Sequence, residues 1–118
     1  MPEGASAAAA LAPGDVIWVE PEIAVGREQS GRRPALVVAG AGCLETVDTL
    51  VLVVPITTLD RGWPNHIEVS GAQLQQRSWA MSEQIRTISR ERVVARAGRA
   101  EEATLVAVRT WLADFLEL

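Results

Sequence analysis

The stretch Thr49-Leu50-Val51-Leu52-Val53-Val54-Pro55-Ile56 holds the longest apolar run in the chain. This run is rich in valine and almost continuous, which is typical of a strand buried on both faces. From Leu50 to Ile56 it is far too short to span a bilayer. We therefore predict that residues 49–56 form the central strand of a sheet.

Shorter segments before and after this run show the apolar alternation that is typical of strands. The connections between them contain Gly, Pro, Asn and Asp, which favour turns. These patterns predict five further strands, at residues 15–20, 35–40, 65–70, 78–82 and 93–98. Residues 83–88 either continue the strand before them or bend away from it, and residues 40–48 are predicted to be a loop.

The C-terminal segment has the spacing of an amphipathic helix. Apolar residues recur there every three or four positions, namely Leu105, Val108, Leu112 and Phe115. Glutamates stand in the first turn, where the helix dipole favours negative charge. We predict a helix over residues 101–116, and a single helical turn at residues 89–92 with Ser89 as its cap.

Several short strands followed by one terminal helix predict a mainly β fold, a small and strongly curved antiparallel sheet or half-barrel. A length of 118 residues fits one domain. Residues 1–12 are rich in alanine and lack the basic start of a signal peptide. We expect a loosely ordered leader there, followed by a single domain at residues 13–118.

The composition limits the classes of function. The single cysteine, Cys43, excludes an internal disulfide and suits a reducing cytosol. Because the chain has only one cysteine and one histidine, a structural zinc site is not expected. The net charge of −4 argues against a protein that coats nucleic acid, but not against a local basic groove. All 11 basic residues are arginines, whose planar fork suits phosphate, although a GC-rich coding sequence explains the lack of lysine at least as well.

Four polar clusters are candidates for chemistry. The first is the loop Gly26-Arg27-Glu28-Gln29-Ser30-Gly31-Arg32-Arg33-Pro34, which holds three arginines and a glutamate between two predicted strands. Charged loops between strands often carry functional residues, although a solvated hairpin loop explains the pattern too. The second cluster is Thr57 with Thr58, at the end of the central strand, where the Thr57 hydroxyl either meets Arg33 or simply caps a turn.

The other two clusters lie further along the chain. Trp63-Pro64-Asn65-His66 places an aromatic ring near arginines, as in proteins that stack unpaired bases, although a tryptophan in a loop is often a packing residue. Glu83-Gln84-Ile85-Arg86-Thr87 is a polar run where a strand should end. A solvated edge and a base-reading role for Gln84 both explain it.

Taken in order, these motifs resemble the MazF/PemK family, bacterial toxin endoribonucleases of toxin–antitoxin pairs. The resemblance rests on Asp15-Val-Ile-Trp18, the arginine loop, Val54-Pro-Ile-Thr57, Gly62-Trp-Pro-Asn-His66 and Glu83-Gln-Ile-Arg-Thr-Ile88. It runs from Pro13 to Leu118 in one unbroken order. The Glu-Gln-x-Gly-x-Arg-Pro and Glu-Gln-Ile-Arg-Thr pieces are specific together, whereas each alone is modest.

The resemblance implies a compact SH3-like barrel of the MazF/CcdB type that forms a homodimer and binds single-stranded RNA in grooves along the dimer interface. It implies sequence-specific cleavage without a metal or other cofactor, in which the 2′-hydroxyl attacks its own phosphate and leaves a 2′,3′-cyclic phosphate and a 5′-hydroxyl. Messenger RNA is the expected target, with transfer and ribosomal RNA left open. A cytoplasmic protein without membrane contact is implied, neutralised by a cognate MazE-like antitoxin whose acidic tail occupies the same groove.

Carried over by motif position, the resemblance implies that Arg33 is the principal catalytic residue and that Thr57 holds the phosphate. Glu28 would shape the loop or assist proton transfer. Because its pKa keeps arginine protonated, Arg33 is expected to stabilise charge or act as an acid, with Glu28 as the candidate base. The residues implied to contact RNA are Arg27, Gln29, Arg32, Thr58, Trp63, Asn65, His66, Glu83, Gln84 and Arg86.

The chain departs from the family pattern in two places. Many relatives have Asp-Ser-Val where this chain has Arg77-Ser78-Trp79, so its base preference is expected to differ. The His, Arg and Asp arrangement of the Kid branch is not reproduced, since the matching positions hold Arg27, Met81 and Glu83.

Two other functions stay open: a toxin that poisons DNA gyrase without cleaving RNA, as CcdB does on the same fold, and an RNA-binding module that does not cleave.

Overall fold

The computed structural model describes residues 11–21 and 31–118. These residues form seven strands and two α-helices, with 3₁₀ turns at Ser82–Gln84 and Arg90–Arg92. The elements in chain order are β1 (Asp15–Val19), β2 (Arg33–Val37), α1 (Ala41–Thr46), β3 (Leu50–Thr57), β4 (His66–Glu68), β5 (Trp79–Met81), β6 (Arg86–Ser89), β7 (Val93–Arg99) and α2 (Glu102–Leu116). The predicted leader at residues 1–12 lies mostly outside the described residues. Neither described helix is long and apolar enough to cross a membrane.

The strands form one antiparallel sheet in the order β4-β5-β3-β2-β1-β7, with β6 paired to β3 beside β5. The predicted antiparallel sheet with a C-terminal helix is confirmed, as a sheet whose path does not close. Its two ends approach each other where the β4–β5 connection reaches β7. There Ala72 bridges to Gly98, and the Gln73 amide donates to the Ala97 carbonyl at 3.0 Å.

Glycine is required where the β4–β5 connection approaches the end of β7. Gly71 has a φ of +97°, and a Cβ on it would lie 2.9 Å from the Glu101 amide nitrogen. Both the positive φ and the close contact exclude larger residues without a shift of the backbone. The edges of the sheet can therefore come together only because the β4–β5 connection has no side chain at this position.

The central position of β3 is confirmed, and so is its burial on both faces. Val54 and Ile56 point into one core, whereas Val51 and Val53 point into another on the opposite face. Because side chains alternate along a strand, a continuous apolar run supplies both cores at once. The first core is covered by α2, which contributes Leu105, Val108 and Leu112.

The last predicted residue of the helix face does not belong to this core. Phe115 is 45% exposed, and its ring lies 5.7 Å from that of Trp111 on the same helix. It borders a shallow apolar hollow together with Leu112 and Leu116. The buried face of α2 therefore ends at Leu112, one turn before the helix does.

Residues 40–48 were expected to be a loop, and this prediction was wrong, because α1 occupies most of the segment. Only Leu44 of this helix is buried. Arg90 donates to the carbonyls of Leu44 and Val47 at 2.6 and 2.9 Å, at the end of α1. Helix ends leave carbonyls without partners, so a guanidinium from a distant part of the chain stabilises this short helix.

The predicted turn with a Ser89 cap is confirmed: the Ser89 hydroxyl accepts from the amide of Glu91 at 3.2 Å.

Pro55 lies within the central strand, where proline normally removes a bond of the sheet. The Val38 amide donates to the Leu52 carbonyl, and in that register Pro55 faces Ala35 as a pair without mutual hydrogen bonds. Its nitrogen therefore points to the other side of β3. That side is paired with β6 up to Val53 and with β5 from Ile56 onward, so Pro55 occupies the gap between them.

A matched pair of substitutions on α2 tests the assignment of its buried face. Val108 is fully buried and Val106 is 54% exposed. We expect Val108→Ala to lower the free energy of unfolding by about 1.5–3 kcal/mol, because it removes buried methyl groups. Val106→Ala should change it by less than about 0.5 kcal/mol. Urea unfolding measures both, and equal losses would contradict this packing.

Candidate nucleic-acid interface

A cleft of about 240 Å³ lies on the side of the sheet opposite α2, where β1, β2, β3 and β6 meet. Three arginines line it: Arg33 from β2, Arg86 from β6, and Arg92 from the turn before β7. Its apolar part consists of Val19, Pro34, Ala35, Val53, Pro55 and Ile88, with Glu20 and Pro21 at the edge. In a chain with a net charge of −4, this is a local concentration of positive charge.

The strand register puts Arg33 and Thr57 on the same face of the sheet. β2 and β3 pair Ala35 with Pro55, and the same register continued by two residues places Arg33 across from Thr57. Residues directly opposite in antiparallel strands project to the same face of the sheet. The two residues expected to handle the phosphate therefore project to the face that holds the cleft.

The Thr57 hydroxyl accepts a hydrogen bond from the amide of Leu59 at 3.1 Å. This contact is the turn cap that the sequence left open as an alternative. It does not remove the hydroxyl from the candidate chemistry, because a hydroxyl that accepts one bond keeps a proton to donate. The cap also fixes the oxygen in place at the end of β3.

A second polar cluster lies at β4 and the 3₁₀ turn after β5. Nε2 of His66 is 3.0 Å from Oε1 of Glu83, and the Asn65 side-chain amide donates to the same oxygen at 2.7 Å. The Ser82 hydroxyl donates to the Asn65 carbonyl at 2.7 Å. These bonds hold the Glu83 carboxylate in one orientation at the surface.

The His66 ring is an internal part of this cluster. Its side chain is only 2% exposed, and the Trp63 ring lies 4.8 Å away, centroid to centroid. A ring this buried offers no face to an incoming base. The position of His66 favours a role in orienting Glu83, while Trp63, 48% exposed with the guanidinium of Arg61 5.6 Å from its centroid, keeps the features of a stacking residue.

Gln84 connects the two clusters. Its side-chain oxygen accepts from Arg86 at 3.5 Å, and its nitrogen donates to Oε2 of Glu83 at 3.4 Å. Both bonds are long, so they are weak. They nevertheless order the polar side chains from the arginine cleft to the Glu83 cluster in one row.

Two further predicted site residues, Arg32 and Thr58, lie at the surface. Arg32 is exposed, with its Nε 3.9 Å from a carboxylate oxygen of Glu20, and Thr58 is exposed just after β3. The three predicted residues of the arginine loop, Arg27, Glu28 and Gln29, lie outside the described residues. No three His, Cys, Asp or Glu side chains within residues 11–21 and 31–118 are grouped as a metal site requires.

One residue of the cleft, Arg92, was not among the site residues predicted from the sequence. Its Nε donates to the carbonyl of Glu20 at 2.8 Å, which ties the cleft wall to the end of β1. This position depends on the pairing of Val19 in β1 with Val93 in β7. Nothing in the local sequence around Arg92 indicates that β1 and β7, the first and last described strands in chain order, are neighbours in the sheet.

The pKa of the Glu83 carboxyl is below its ordinary value of 4.5. Burial raises it, but the hydrogen bond from His66, the bond from the backbone amide, the His66 charge and the bond from Gln84 together lower it by more. A carboxyl with a lowered pKa stabilises the folded state above its unfolded pKa. That contribution is lost as the pH falls through the folded pKa.

Replacing this carboxyl should therefore have a pH-dependent effect on stability. We expect Glu83→Gln to lower the free energy of unfolding at pH 7 by on the order of 1 kcal/mol, since it weakens the bonds to Asn65 and His66. The deficit relative to wild type should shrink as the pH falls below 4.5. Urea unfolding at a series of pH values measures this, with Glu45→Gln on α1 as the matched control. A deficit that stays constant down to pH 3 would contradict the assignment.

Comparison with known proteins supports one family. Residues 12–116 match the family model described as PemK-like, MazF-like toxin of type II toxin–antitoxin system. The endoribonuclease toxin MazF of Escherichia coli K12 is 35% identical over 77 residues. That alignment covers 64% of this chain and 66% of the relative, slightly less than two thirds of the relative's length.

Solved structures agree with this match. The chain is similar to MazF of Deinococcus radiodurans, with 27% identity, a TM-score of 0.72, and coverage of 92% of this chain and 97% of that one. A MazE–MazF complex from the same organism matches with a TM-score of 0.78 at 24% identity, over 92% and 96% of the two chains, which shows the shared fold. The family model covers nearly the whole described fold together with the arginine cleft, and so this chain belongs to the PemK-like, MazF-like toxins of type II toxin–antitoxin systems.

Proposed function

We propose that this protein is the toxin of a toxin–antitoxin pair and that it cleaves single-stranded RNA at short sequences. The observation that carries the proposal is the cleft lined by three arginines, on the face of the sheet to which Arg33 and Thr57 both project. The family membership and the name of the Escherichia coli relative, an endoribonuclease toxin, support the same activity. Messenger RNA is the leading target, and transfer and ribosomal RNA are the alternatives.

In the proposed reaction the 2′-oxygen of the RNA forms a bond to the adjacent phosphorus, and the bond from phosphorus to the 5′-oxygen breaks. The products are a 2′,3′-cyclic phosphate and a 5′-hydroxyl, so no water is consumed. Negative charge develops on the phosphoryl oxygens in the transition state. Donors that are fixed in advance toward that charge lower the barrier, and the Arg33 guanidinium and the Thr57 hydroxyl are such donors.

Two protons must move in this reaction. The 2′-hydroxyl loses one to a base, for which Glu28 is the candidate, and the leaving 5′-oxygen gains one. Arg33 is protonated at any physiological pH and therefore suits the role of charge stabiliser or acid. Arg86 and Arg92 would then hold the flanking phosphates, because both guanidinium groups line the same cleft.

The row of polar side chains beyond the cleft supplies candidate base contacts. Trp63 offers an exposed ring for stacking, and Glu83 can accept hydrogen bonds from base amino groups because its carboxylate is held in a fixed orientation. Gln84 can both donate and accept. Unpaired bases are read by this combination of stacking and polar contact.

The proposed partners follow from the charge of the cleft. An antitoxin segment with acidic side chains would compete with RNA phosphates for the three arginines, and so would inhibit by occupation. The proposed assembly is a homodimer in the cytoplasm, a two-fold pair being the commonest arrangement of soluble oligomers. A gyrase poison on the same fold gains no support from these residues, because binding a protein target requires no arginine and threonine pair beside a basic cleft.

The nuclease can be tested directly on a pool of single-stranded RNA in the presence of EDTA. We expect discrete cuts with 2′,3′-cyclic phosphate ends, and Arg33→Ala should slow cleavage by at least about 100-fold, as the loss of one preorganised donor does. Arg33→Lys keeps the positive charge but not the planar fork, so its cleavage rate should lie between those of the wild type and Arg33→Ala. Sequencing of end-labelled fragments measures both. A folded, antitoxin-free protein that makes no cuts would refute the proposal and direct the work to gyrase inhibition.

The role of Glu28 has its own test. If Glu28 is the base, Glu28→Gln should lower the single-turnover cleavage rate by about 100-fold or more and remove the acidic limb of its pH profile. RNA affinity, measured on an oligonucleotide with a 2′-deoxyribose at the cut, should change little. Cleavage by Glu28→Gln at the wild-type rate would exclude the base role and leave Glu28 as a loop residue.

A further inference from the structure

The β4–β5 hairpin carries a polar surface formed by Glu68, Arg77 and Trp79. Arg77 donates from Nε and Nη2 to the two carboxylate oxygens of Glu68, at 2.9 and 3.0 Å. Its guanidinium carbon lies 5.3 Å from the centroid of the Trp79 ring. The paired bonds and the ring contact fix the plane of a side chain that is still 72% exposed.

This surface, which we call the Arg77 shelf, is in line with the residues proposed for catalysis. β5 pairs Trp79 with Thr57 on one side and with Glu68 on the other. This gives one row across the sheet that runs from Thr57 to Trp79 and then Glu68, on the face to which Arg33 also projects. Neighbouring strands lie roughly 4.8 Å apart, so Trp79 is one strand away from the Thr57 hydroxyl.

The charge of the shelf is balanced, unlike that of the cleft. The hydrogen bonds from Arg77 lower the pKa of Glu68, and Glu68 in turn raises the pKa of Arg77. Both groups are thus ionised at neutral pH and compensate each other. An arginine neutralised in this way attracts a phosphate weakly, but its planar face remains available to solvent.

We propose that the Arg77 shelf is a stacking platform for one unpaired base of the RNA, next to the phosphate that is cleaved. The proposal rests on the nuclease function proposed above and adds a determinant of its specificity. The base lies on the face of the Arg77 guanidinium that points away from the Trp79 ring. Guanidinium planes and aromatic rings are surfaces on which proteins stack splayed bases.

The shelf favours a purine over a pyrimidine at this position. Selection by stacking depends on overlap area, and a purine covers more of the guanidinium plane. Glu68 and Trp79 are positioning residues in this arrangement, because they hold the plane and do not need to touch RNA.

The experiment compares variants on a single-stranded RNA oligonucleotide that spans a cut mapped with the wild-type protein. Affinity is measured on the oligonucleotide with a 2′-deoxyribose at the cut, and cleavage is measured on the all-ribose version with each neighbouring base changed in turn. Arg77→Lys keeps the charge but removes the plane. Trp79→Leu removes the support of the plane, and Trp79→Phe keeps an aromatic ring. Arg99→Lys is the control, because Arg99 is an exposed arginine of β7 that is paired to Asp15 and makes no contact with the shelf residues.

We expect Arg77→Lys and Trp79→Leu to raise the Kd by about 5- to 100-fold, in line with the loss of one stacked base. Both should flatten the purine preference at one position beside the cut, with kcat at saturating RNA little changed, because the lost contact is made equally in the ground and transition states. Trp79→Phe and Arg99→Lys should stay within about threefold of wild type. Arg77→Lys changes an exposed side chain, so its effect does not depend on whether Trp79→Leu folds.

Two results would overturn the shelf alone while leaving the nuclease in place. The first is wild-type cleavage with the same Kd and base preference in Arg77→Lys and Trp79→Leu. The second is an Arg77→Ala variant whose salt dependence of binding falls by about one unit in slope, which marks a phosphate contact. A wild-type protein that neither binds nor cuts RNA would overturn the shelf and the proposed function together.

Discussion

The pairing of β3 with three other strands is the constraint on which the candidate site depends. One edge of β3 pairs with β2, while the other pairs first with β6 and then with β5. This arrangement places residues from four strands on one face, so that Arg33, Thr57 and Arg86 share it although they are far apart in sequence. The change of partner is possible because Pro55, which has no amide hydrogen, occupies the gap between β6 and β5.

Much of the fold could be predicted because its signals are local. The alternation in the strands, the apolar run of β3 and the spacing of Leu105, Val108 and Leu112 are visible in any short window. The features that could not be predicted depend on distant partners. α1 is stabilised by Arg90, which lies 46 residues beyond Leu44, and the cleft acquires Arg92 only through the pairing of the first strand with the last. The motifs were enough to select Arg33 and Thr57 as site residues. That both side chains project to one face follows only from the pairing of β2 with β3.

The arginines of the described residues differ in what they contact. Some bind the protein itself: Arg90 and Arg109 donate to backbone carbonyls, and Arg99 pairs with the buried carboxylate of Asp15. Their charges are satisfied internally and hold elements together. Arg33 and Arg86 instead line an open cleft. An acidic protein can thus present a basic surface, because the distribution of charge and not its sum decides where a polyanion binds.

The pairing of β1 with β7 also has a consequence for how the molecule is made. Asp15 pairs with Arg99, so the two strands that close this side of the cleft are separated by most of the chain. Contacts of such long sequence separation form late, because a large loop must be ordered before they are gained. On the ribosome, β1 leaves the tunnel before β7 and stays unpaired on that edge until β7 follows. The arginine cleft is therefore completed only after β7 has been synthesised, and a chain that stops before β7 lacks one of its walls.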